Sequence, residues 1–237
     1  MSTIDRPRRL VLIRHGESRR NAAKKGETYF ADEAARALIR GVPDHKIPLT
    51  DLGHEQARKT GPPLFARFGV PDYFYHSGYQ RTRETLEGVL SGYPEHLRPD
   101  IRVRENMFIR ERDSGYSYDM TTEEAERDFP WLREHWKTNG GFLARPPGGE
   151  SLADVTARVY TFLSTIFRDR AGQTVFVATH GGTLRCFRYL LERWTYAQAE
   201  HWPPGQSPKN CGVTVYEYDD SLGRLVLREY NTVYWRE

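Results

Sequence analysis

The stretch 10-LVLIRHGES-18 joins an apolar run directly to an arginine, a histidine, a glycine, a glutamate and a serine. A short apolar run that ends in turn residues predicts a buried strand, here roughly residues 9–13. A helix is expected to begin near Glu17 or Ser18. We interpret the junction as a strand that carries the imidazole of His15 to the edge of a sheet, where it can react.

Two other junctions in the chain have the same form. The β-branched and aromatic run 174–179 is the clearest buried strand, and His180 with two glycines leads from it into a helix. The aromatic run 73–76 leads into a helix that carries Arg81. Because the carboxyl ends of parallel strands share one edge of an open sheet, these side chains can meet there. Helix N-termini and arginine side chains favour a bound anion such as phosphate.

The alternation of strands and helices predicts an α/β fold in three layers, with a mostly parallel central sheet between helices. The 237 residues suit one domain spanning residues 1–237. With 38% apolar and 28% charged residues, the composition is that of a soluble globular protein. Thr121 with Glu124 fits a capping box that starts a short helix, and Ser151 with Asp154 opens a long helix, whereas residues 139–150 are predicted as a loop.

The same composition argues against several classes of partner. The net charge of +3 is spread along the chain, unlike the basic patch of a nucleic-acid-binding protein. No run approaches the ~18 apolar residues of a membrane span, and the N-terminal apolar run is too short for a signal peptide. Cys186 and Cys211 lack C-x-x-C partners, and the HEQAR segment at His54 is not a zinc-binding H-E-x-x-H motif. We expect a cytoplasmic protein without a metal, a cofactor, or a nucleic-acid or membrane partner; the oligomeric state stays open.

Six segments, in order along the chain, resemble motifs of the histidine phosphatase superfamily, also called the phosphoglycerate mutase-like family. Tyr79 and Ile109 stand where the family motifs have leucine. A single R-H-G match is weak, but six ordered matches are specific. The resemblance implies a phosphoglycerate mutase-like α/β fold with lid-like insertions at about residues 22–48 and 112–148. The six segments are R-H-G-E-S with Asn21, IPLTDLGHEQA at 47–57, SGYQRTRETLE at 77–87, IRERDSGY at 109–116, PPGGESL at 146–152 and VATHGGTLR at 177–185.

The resemblance also implies a role for each matching position. His15 is expected to accept the phosphoryl group, and Glu111 is expected to donate a proton to the leaving group. His180 is expected to act with them by lining the phosphate pocket. Arg83 falls outside the pocket and is expected to be exposed or in a structural ion pair. The remaining contacts to phosphate and substrate are expected from Arg14, Asn21, Arg81 and Gly181.

These residue types suit phosphoryl transfer. A nucleophilic imidazole must be neutral, and a hydrogen bond from its second nitrogen to a backbone carbonyl would fix the tautomer of His15. Two arginines and a protonated His180 would neutralise the phosphoryl oxygens and keep His15 neutral by like-charge repulsion. Glu111 must hold a proton while the leaving group departs, and its ionised form can then activate water.

The chain departs from the mutases of the family at two places. After the acid it reads E-R-D-S-G instead of E-R-H-Y-G, and the second histidine is followed by G-G instead of G-N. The resemblance therefore implies a metal-independent, histidine acid phosphatase-type enzyme that hydrolyses a small-molecule phosphate ester. A cofactor-dependent phosphoglycerate mutase-type transferase and a non-catalytic phosphate-binding module stay as alternatives. Tyr116, Tyr118, Trp131 and Trp136 are candidates to contact an organic leaving group.

Overall fold

The computed structural model of the protein describes residues 5–200, 202 and 205–236. Within these residues the chain forms one six-stranded sheet from β1 (Arg9–Arg14), β2 (Tyr73–His76), β3 (Arg102–Glu105), β4 (Thr174–Thr179), β5 (Val213–Asp219) and β6 (Arg224–Thr232). The spatial order is β3-β2-β4-β1-β5-β6. Strands β1 to β4 are parallel, whereas β5 runs antiparallel to both β1 and β6. The prediction of a mostly parallel sheet is confirmed.

Helices alternate with strands along most of the chain. They are α1 (Arg19–Lys24), α2 (Glu33–Ala37), α3 (Asp51–Phe68), α4 (Gln80–Ser91), α5 (Thr122–Asp128), α6 (Leu132–Leu143), α7 (Leu152–Asp169), α8 (Gly181–Leu191) and α9 (Tyr196–Glu200). The sequence pattern does not predict α9. Short 3₁₀ segments include Asp44–Lys46 and Gly115–Asp119. No helix among the described residues is both long and apolar enough to span a membrane.

Alternate residues of the central strands pack into two different helix layers. Leu10 and Leu12 of β1 pack with α7 and α8, while Val11 and Ile13 pack with α3 and α4. Successive side chains of a strand point to opposite faces, so a strand that is apolar at every position is buried on both. The three-layer α/β/α prediction is therefore confirmed, and the sheet edge where β1, β2 and β4 end lies between the two helix layers.

Side-chain caps fix where two helices near that edge begin. The Ser18 hydroxyl accepts a hydrogen bond from the backbone N–H of Asn21 at the start of α1. Ser151 accepts in the same way from Asp154 at the start of α7, and both form capping boxes. The helix start predicted at Ser151 is confirmed, and so is the capping box predicted at Thr121. A cap of this kind typically contributes about 1 kcal/mol to stability.

The loop predicted at residues 139–150 is wrong in its first part, because a further helical turn follows Gly140 and reaches Leu143. Gly140 itself has a φ of 73° and a ψ of 155°, which are not helical, so α6 consists of two helical pieces that meet at this glycine. Phe142, beyond the kink, is buried, and its ring centre lies 5.0 Å from that of Tyr189 on α8. Tertiary packing of this ring therefore outweighs the weak helix propensity of the two glycines.

The two segments predicted as insertions, 22–48 and 112–148, contact each other. Phe30 and Thr121 form an isolated parallel β-bridge between them. The first segment is held together by a small apolar cluster, whose buried members are Ala23, Phe30, Ile39 and Ile47.

Gly53 should be sensitive to substitution because α3 lies directly against the loop that follows β1. A β-carbon on Gly53 would stand 2.1 Å from the backbone oxygen of Glu17. Gly53→Ala is expected to lower the free energy of unfolding by about 1–3 kcal/mol, the usual cost of overpacking. Urea denaturation measures this change, with the exposed Lys59→Ala on the same helix as a control that stays within about 0.5 kcal/mol. An unchanged midpoint for Gly53→Ala would contradict the contact.

Candidate active site

Three strand ends meet at one edge of the sheet and bring together the two predicted histidines. His15 follows β1, and His180 follows β4, the direct parallel neighbour of β1. Their ring centres lie 5.1 Å apart, and the ring planes cross at 63°. Arg81, at the start of the helix after β2, donates from Nε to His180 Nδ1 at 3.3 Å. Residues that are far apart in the sequence therefore form one group.

A cavity of about 410 Å³ adjoins this group. Five of the residues singled out by the sequence line it: Arg14, His15, Asn21, Arg81 and Glu111. The lining also includes charged residues that the sequence pattern did not single out, namely Arg20, Lys24, Glu27, Asp44, Arg112 and Arg185. The cavity is therefore rich in arginine, as expected of a site that takes an anion.

The ring of His15 is held in one tautomer. Its Nδ1 lies 2.7 Å from the carbonyl oxygen of Gly16, which can only accept, so Nδ1 carries the proton and Nε2 the lone pair. Burial lowers the pKa of His15 well below its usual value, and the charges of Arg81 and Arg14 lower it further. The imidazole is neutral at physiological pH and has a nucleophilic nitrogen at Nε2.

His180 is also neutral, in the opposite tautomer. Because the Nε–H of Arg81 can only donate, His180 Nδ1 must be the acceptor and Nε2 must carry the proton. That proton is donated to Ser77 Oγ, 2.8 Å away. Burial, followed by the charges of Arg81 and His15, lowers the pKa of His180 well below its usual value. The protonated His180 expected from the sequence is therefore wrong for this structure, because burial outweighs any gain from a charged ring.

Two arginines beside the histidines differ in their hydrogen-bond partners. Arg14 donates from Nη1 to the Pro208 carbonyl at 2.5 Å, while its buried Nε has no hydrogen-bond partner among the described residues. Arg81 donates from Nη1 and Nη2 to the carboxylate of Asp44, at 2.9 Å and 3.4 Å. Burial lowers the pKa of Arg14, although an arginine stays charged at any relevant pH. Arg14 therefore keeps an unused donor next to His15.

Asn21 and Gly181 complete the predicted contacts. Asn21 Oδ1 accepts from Ser18 and, at 3.3 Å, from Asn210 Nδ2, so its own Nδ2 keeps its protons for a ligand. Asn210 also donates to the carbonyl of His15 at 3.1 Å. A β-carbon on Gly181 would stand 3.7 Å from Arg14 Nε, so this glycine lies beside the unused donor.

Glu111 lies across the cavity at the N-terminus of α8. Its Oε1 accepts from the backbone N–H of Arg112 at 2.9 Å, and its Oε2 accepts from that of Gly182 at 3.5 Å. The buried guanidinium of Arg158 donates to the carbonyl of Glu111 at 3.1 Å and also pairs with Glu150. The acid loop is therefore anchored to α7, and the carboxylate of Glu111 is oriented by two backbone amides.

The remaining sequence candidates separate into two groups. Arg83, Tyr116 and Trp131 are exposed, which leaves them outside the cavity. Tyr118 packs beneath Arg20, whose Cζ lies 3.9 Å from the ring centre. Trp136 lines a second cavity of about 580 Å³, which shares residues 27–28 with the first. Trp136 is therefore the candidate that lies next to the first cavity, whereas Trp202, outside both lid segments, lines the first cavity itself.

Besides the six charged lining residues named above, the sequence interpretation missed Ser77 and Asn210. Asp44, one of those six, begins a 3₁₀ turn in a stretch without a periodic pattern, Asn210 lies outside the regular elements, and Ser77 was assigned only to a turn. No local signal marks such residues, since each acts on a partner far away in the sequence. Among the described residues, no group of three or more histidine, cysteine, aspartate or glutamate side chains is arranged to hold a metal ion.

Comparison with known proteins identifies the family. The family model described as histidine phosphatase superfamily (branch 1) matches residues 10–231. The phosphoglycerate mutase-like protein AT74H of Arabidopsis thaliana is 36% identical over 214 residues, covering 82% of this chain and 69% of that protein. The broad-range acid phosphatase DET1 of Saccharomyces cerevisiae is 28% identical over 315 aligned positions, covering 95% and 90%.

The fold agrees with this assignment. The solved structure of Bacillus stearothermophilus YhfR superimposes with a TM-score of 0.74 at 23% identity, covering 96% of this chain and 98% of that one. This likeness concerns the fold alone. The match over nearly the whole length and the similarity to phosphatases support a phosphatase-type enzyme. The chain belongs to the histidine phosphatase superfamily.

Proposed function

We propose that the protein hydrolyses small-molecule phosphomonoesters through a covalent phosphohistidine on His15, with Glu111 as the proton donor. The observation that carries the proposal is the state of the His15 ring. Its Nδ1 proton is bound by the Gly16 carbonyl, and its Nε2 lone pair is left for attack beside Arg14 and Arg81. A surface histidine would have neither the fixed tautomer nor the two cations.

In the first step, His15 Nε2 attacks the phosphorus and forms an N–P bond. The bond from phosphorus to the ester oxygen breaks, and its electron pair goes to the leaving oxygen, which takes a proton from Glu111. The imidazole gains positive charge, and the Gly16 carbonyl stabilises the proton at Nδ1. Arg14 and Arg81 stabilise the charge on the equatorial oxygens, which is the main catalytic work in phosphoryl transfer.

In the second step, the ionised Glu111 takes a proton from a water molecule, and the water oxygen attacks phosphorus. The N–P bond breaks, its electron pair returns to His15 Nε2, and inorganic phosphate leaves. Glu111 is protonated again and His15 is neutral, so the cycle closes. The two arginines supply the positive charge that the reaction needs, and we therefore propose that no metal ion takes part.

His180 has a supporting role in this proposal. Its ring lies 5.1 Å from that of His15, and its Nδ1 faces Arg81. A bound phosphate brings negative charge that offsets the burial of an imidazolium, so His180 can take a proton on Nδ1 when the Nε–H of Arg81 turns from Nδ1 to the bound phosphate. It would then donate to a phosphoryl oxygen. The protonated His180 expected from the sequence is thus proposed for the substrate-bound enzyme only.

We also propose that the protein is one domain of residues 1–237 with lids at about 22–48 and 112–148. Both segments contribute to the lining of the cavity, the first through Lys24 and Asp44 and the second through Arg112. Lids of this kind exclude water from the transferred phosphoryl group and select the leaving group.

Trapping of the phosphoenzyme in alkaline detergent tests the nucleophile. The chelator-treated enzyme is mixed with a ³²P-labelled phosphate ester and denatured within one turnover. We expect acid-labile, base-stable label on the wild type and none on His15→Ala, with the exposed His96→Ala as the matched control that keeps the label. Turnover without any trapped label on His15, or turnover that depends on a divalent cation, would contradict the proposed mechanism.

Two alternatives are separated by the acceptor of the phosphoryl group. The Arabidopsis relative is named phosphoglycerate mutase-like, so transfer of the phosphoryl group to a second substrate instead of water is one alternative. Interconversion of monophosphoglycerates with a bisphosphoglycerate primer, faster than phosphate release, would favour the transferase. A non-catalytic module would bind phosphate esters without releasing phosphate from any of them.

Glu111→Gln should have an effect that depends on the leaving group. For an alkyl phosphate, whose leaving oxygen needs a proton, kcat/KM is expected to fall roughly 10²- to 10⁴-fold. For p-nitrophenyl phosphate, kcat/KM should change less than about tenfold, because that leaving group departs without a proton. Steady-state assays of both esters measure the difference, and the exposed Glu123→Gln is the matched control. Equal losses on both esters would exclude Glu111 as the proton donor.

Stability should depend on pH through the buried neutral His15. Its pKa is lowered well below 6.5 in the folded protein. As the pH falls below 6.5, the unfolded chain gains a proton that the folded protein does not, so the free energy of unfolding decreases. Between pH 7.5 and 5.5 this group accounts for a loss of up to about 1.4 kcal/mol. Urea denaturation of His15→Asn should show that much less pH dependence, whereas an identical dependence would mean that His15 is protonated in the fold.

A further inference from the structure

Arg185 is a buried cation that the catalytic steps above do not use. It lies on α8, and its side chain is 9% exposed. Its Nε and Nη2 atoms are buried and have no hydrogen-bond partner in the part of the chain that the structure describes. Its Cζ lies 5.7 Å from the ring centre of Trp202, and Glu200 acts on it electrostatically without bonding Nε or Nη2. Such a group is costly to bury unless a ligand supplies the missing acceptors.

A second arginine, Arg112, shares this part of the cavity. Its Cβ would lie 3.8 Å from a β-carbon on Gly182, and its Cζ lies 5.9 Å from the ring centre of Trp136. Burial lowers the pKa of Arg112, and the charge of Arg112 in turn lowers the pKa of Arg185. Nε and Nη2 of Arg185 bond no carboxylate among the described residues, and Glu111 and Glu150 act on Arg112 through their charge without a side-chain hydrogen bond to it. Two like charges therefore lie near each other in a partly desolvated place.

Both arginines lie on the side of the cavity from which the leaving group departs. The backbone N–H of Gly182 donates to Glu111. Arg112 directly follows Glu111, and Arg185 follows Gly182 by three positions, which places it on the same face of α8. The cavity that these arginines line is also the one lined by His15 and Arg81.

Resting on the proposed hydrolysis, we propose that Arg112 and Arg185 bind a second anionic group on the leaving group of the substrate. The shared chemistry is that of a planar or tetrahedral oxyanion, either a carboxylate or a second phosphate. It supplies the acceptors that Arg185 lacks and relieves the repulsion between the two guanidinium groups. The substrates would then be phosphate esters with two separate anionic centres, one on each side of Glu111.

The test uses inert phosphonates, so that binding is measured without turnover. Isothermal titration compares (4-carboxybenzyl)phosphonate with its neutral isostere (4-carbamoylbenzyl)phosphonate at constant salt. We expect the wild type to bind the carboxylate roughly ten- to hundredfold more tightly, the size of one or two charge-assisted hydrogen bonds. In Arg185→Gln the ratio of the two dissociation constants should fall toward one, while the exposed Arg168→Gln should keep the wild-type ratio.

A third pair of ligands distinguishes the two kinds of oxyanion. Propane-1,3-bisphosphonate is compared with propylphosphonate in the same titration. A larger Arg185-dependent gain for the bisphosphonate assigns the site to a second phosphate, and a larger gain for the carboxybenzyl ligand assigns it to a carboxylate. The absence of an Arg185-dependent gain in both series would overturn the proposal.

Thermal unfolding separates a ligand-binding role from a structural one. Because Nε and Nη2 of Arg185 are buried without hydrogen-bond partners among the described residues, Arg185→Gln should melt at the wild-type temperature or above it. A lower melting temperature together with an unchanged binding ratio would identify a structural residue and overturn the proposal. Hydrolysis of the matching aryl phosphates is followed in parallel. Turnover without a carboxylate preference refutes only this inference, whereas a carboxylate preference in binding without any turnover refutes only the proposed hydrolysis.

Discussion

The hydrogen bond from His15 Nδ1 to the Gly16 carbonyl is the interaction on which the rest of the site depends. It decides which ring nitrogen carries the lone pair, and it can do so only if the backbone of residues 15–17 cannot move. Three neighbours hold that backbone: Thr85 accepts from the N–H of Gly16, Gln56 accepts from the N–H of Glu17, and Asn210 donates to the carbonyl of His15. The first two come from α4 and α3. The helix layer therefore orients the imidazole as well as covering the sheet.

The positive charges around the His15 ring lower the stability of the fold but can stabilise negative charge that develops in a reaction. The cavity gathers Arg14, Arg81, Arg112 and Arg185 where water is partly excluded, and two of them keep buried nitrogen atoms without partners among the described residues. Stability alone would favour pairing or removing these charges. Donors that are already in place before the reaction need no reorganisation when negative charge develops. The fold thus gives up some stability to hold positive charge in place before the reaction, and the same charges add to the effect of burial that keeps the two histidines neutral.

The sequence predicted the parts of this arrangement that depend on local pattern. The apolar runs of β1 and β4 are buried on both faces, so their strands, their ends and the positions of His15 and His180 follow from a few consecutive residues. The turn of α6 beyond Gly140 does not, because it depends on Phe142 packing against α8. The same limit applies to Asp44 and Asn210, which act on residues far from them in the chain. The sequence could not predict the neutral state of His180 for another reason. Burial, not neighbouring charge, dominates the pKa of this histidine, and the depth of burial is known only from the fold.

Asp44 links the inserted segment 22–48 to Arg81 in the cavity and reduces the net positive charge there. It pairs with Arg81 inside the site and with Arg20, which in turn packs on Tyr118 of the other inserted segment. Arg81 therefore enters the reaction already partly neutralised by a carboxylate. The uncompensated positive charge next to His15 comes mainly from Arg14, whose Nε has no hydrogen-bond partner among the described residues. In the proposed mechanism, a phosphate that shares Arg81 with Asp44 must come close to that carboxylate and is repelled by it. The strength of phosphate binding would then depend on where the segment 22–48 holds Asp44.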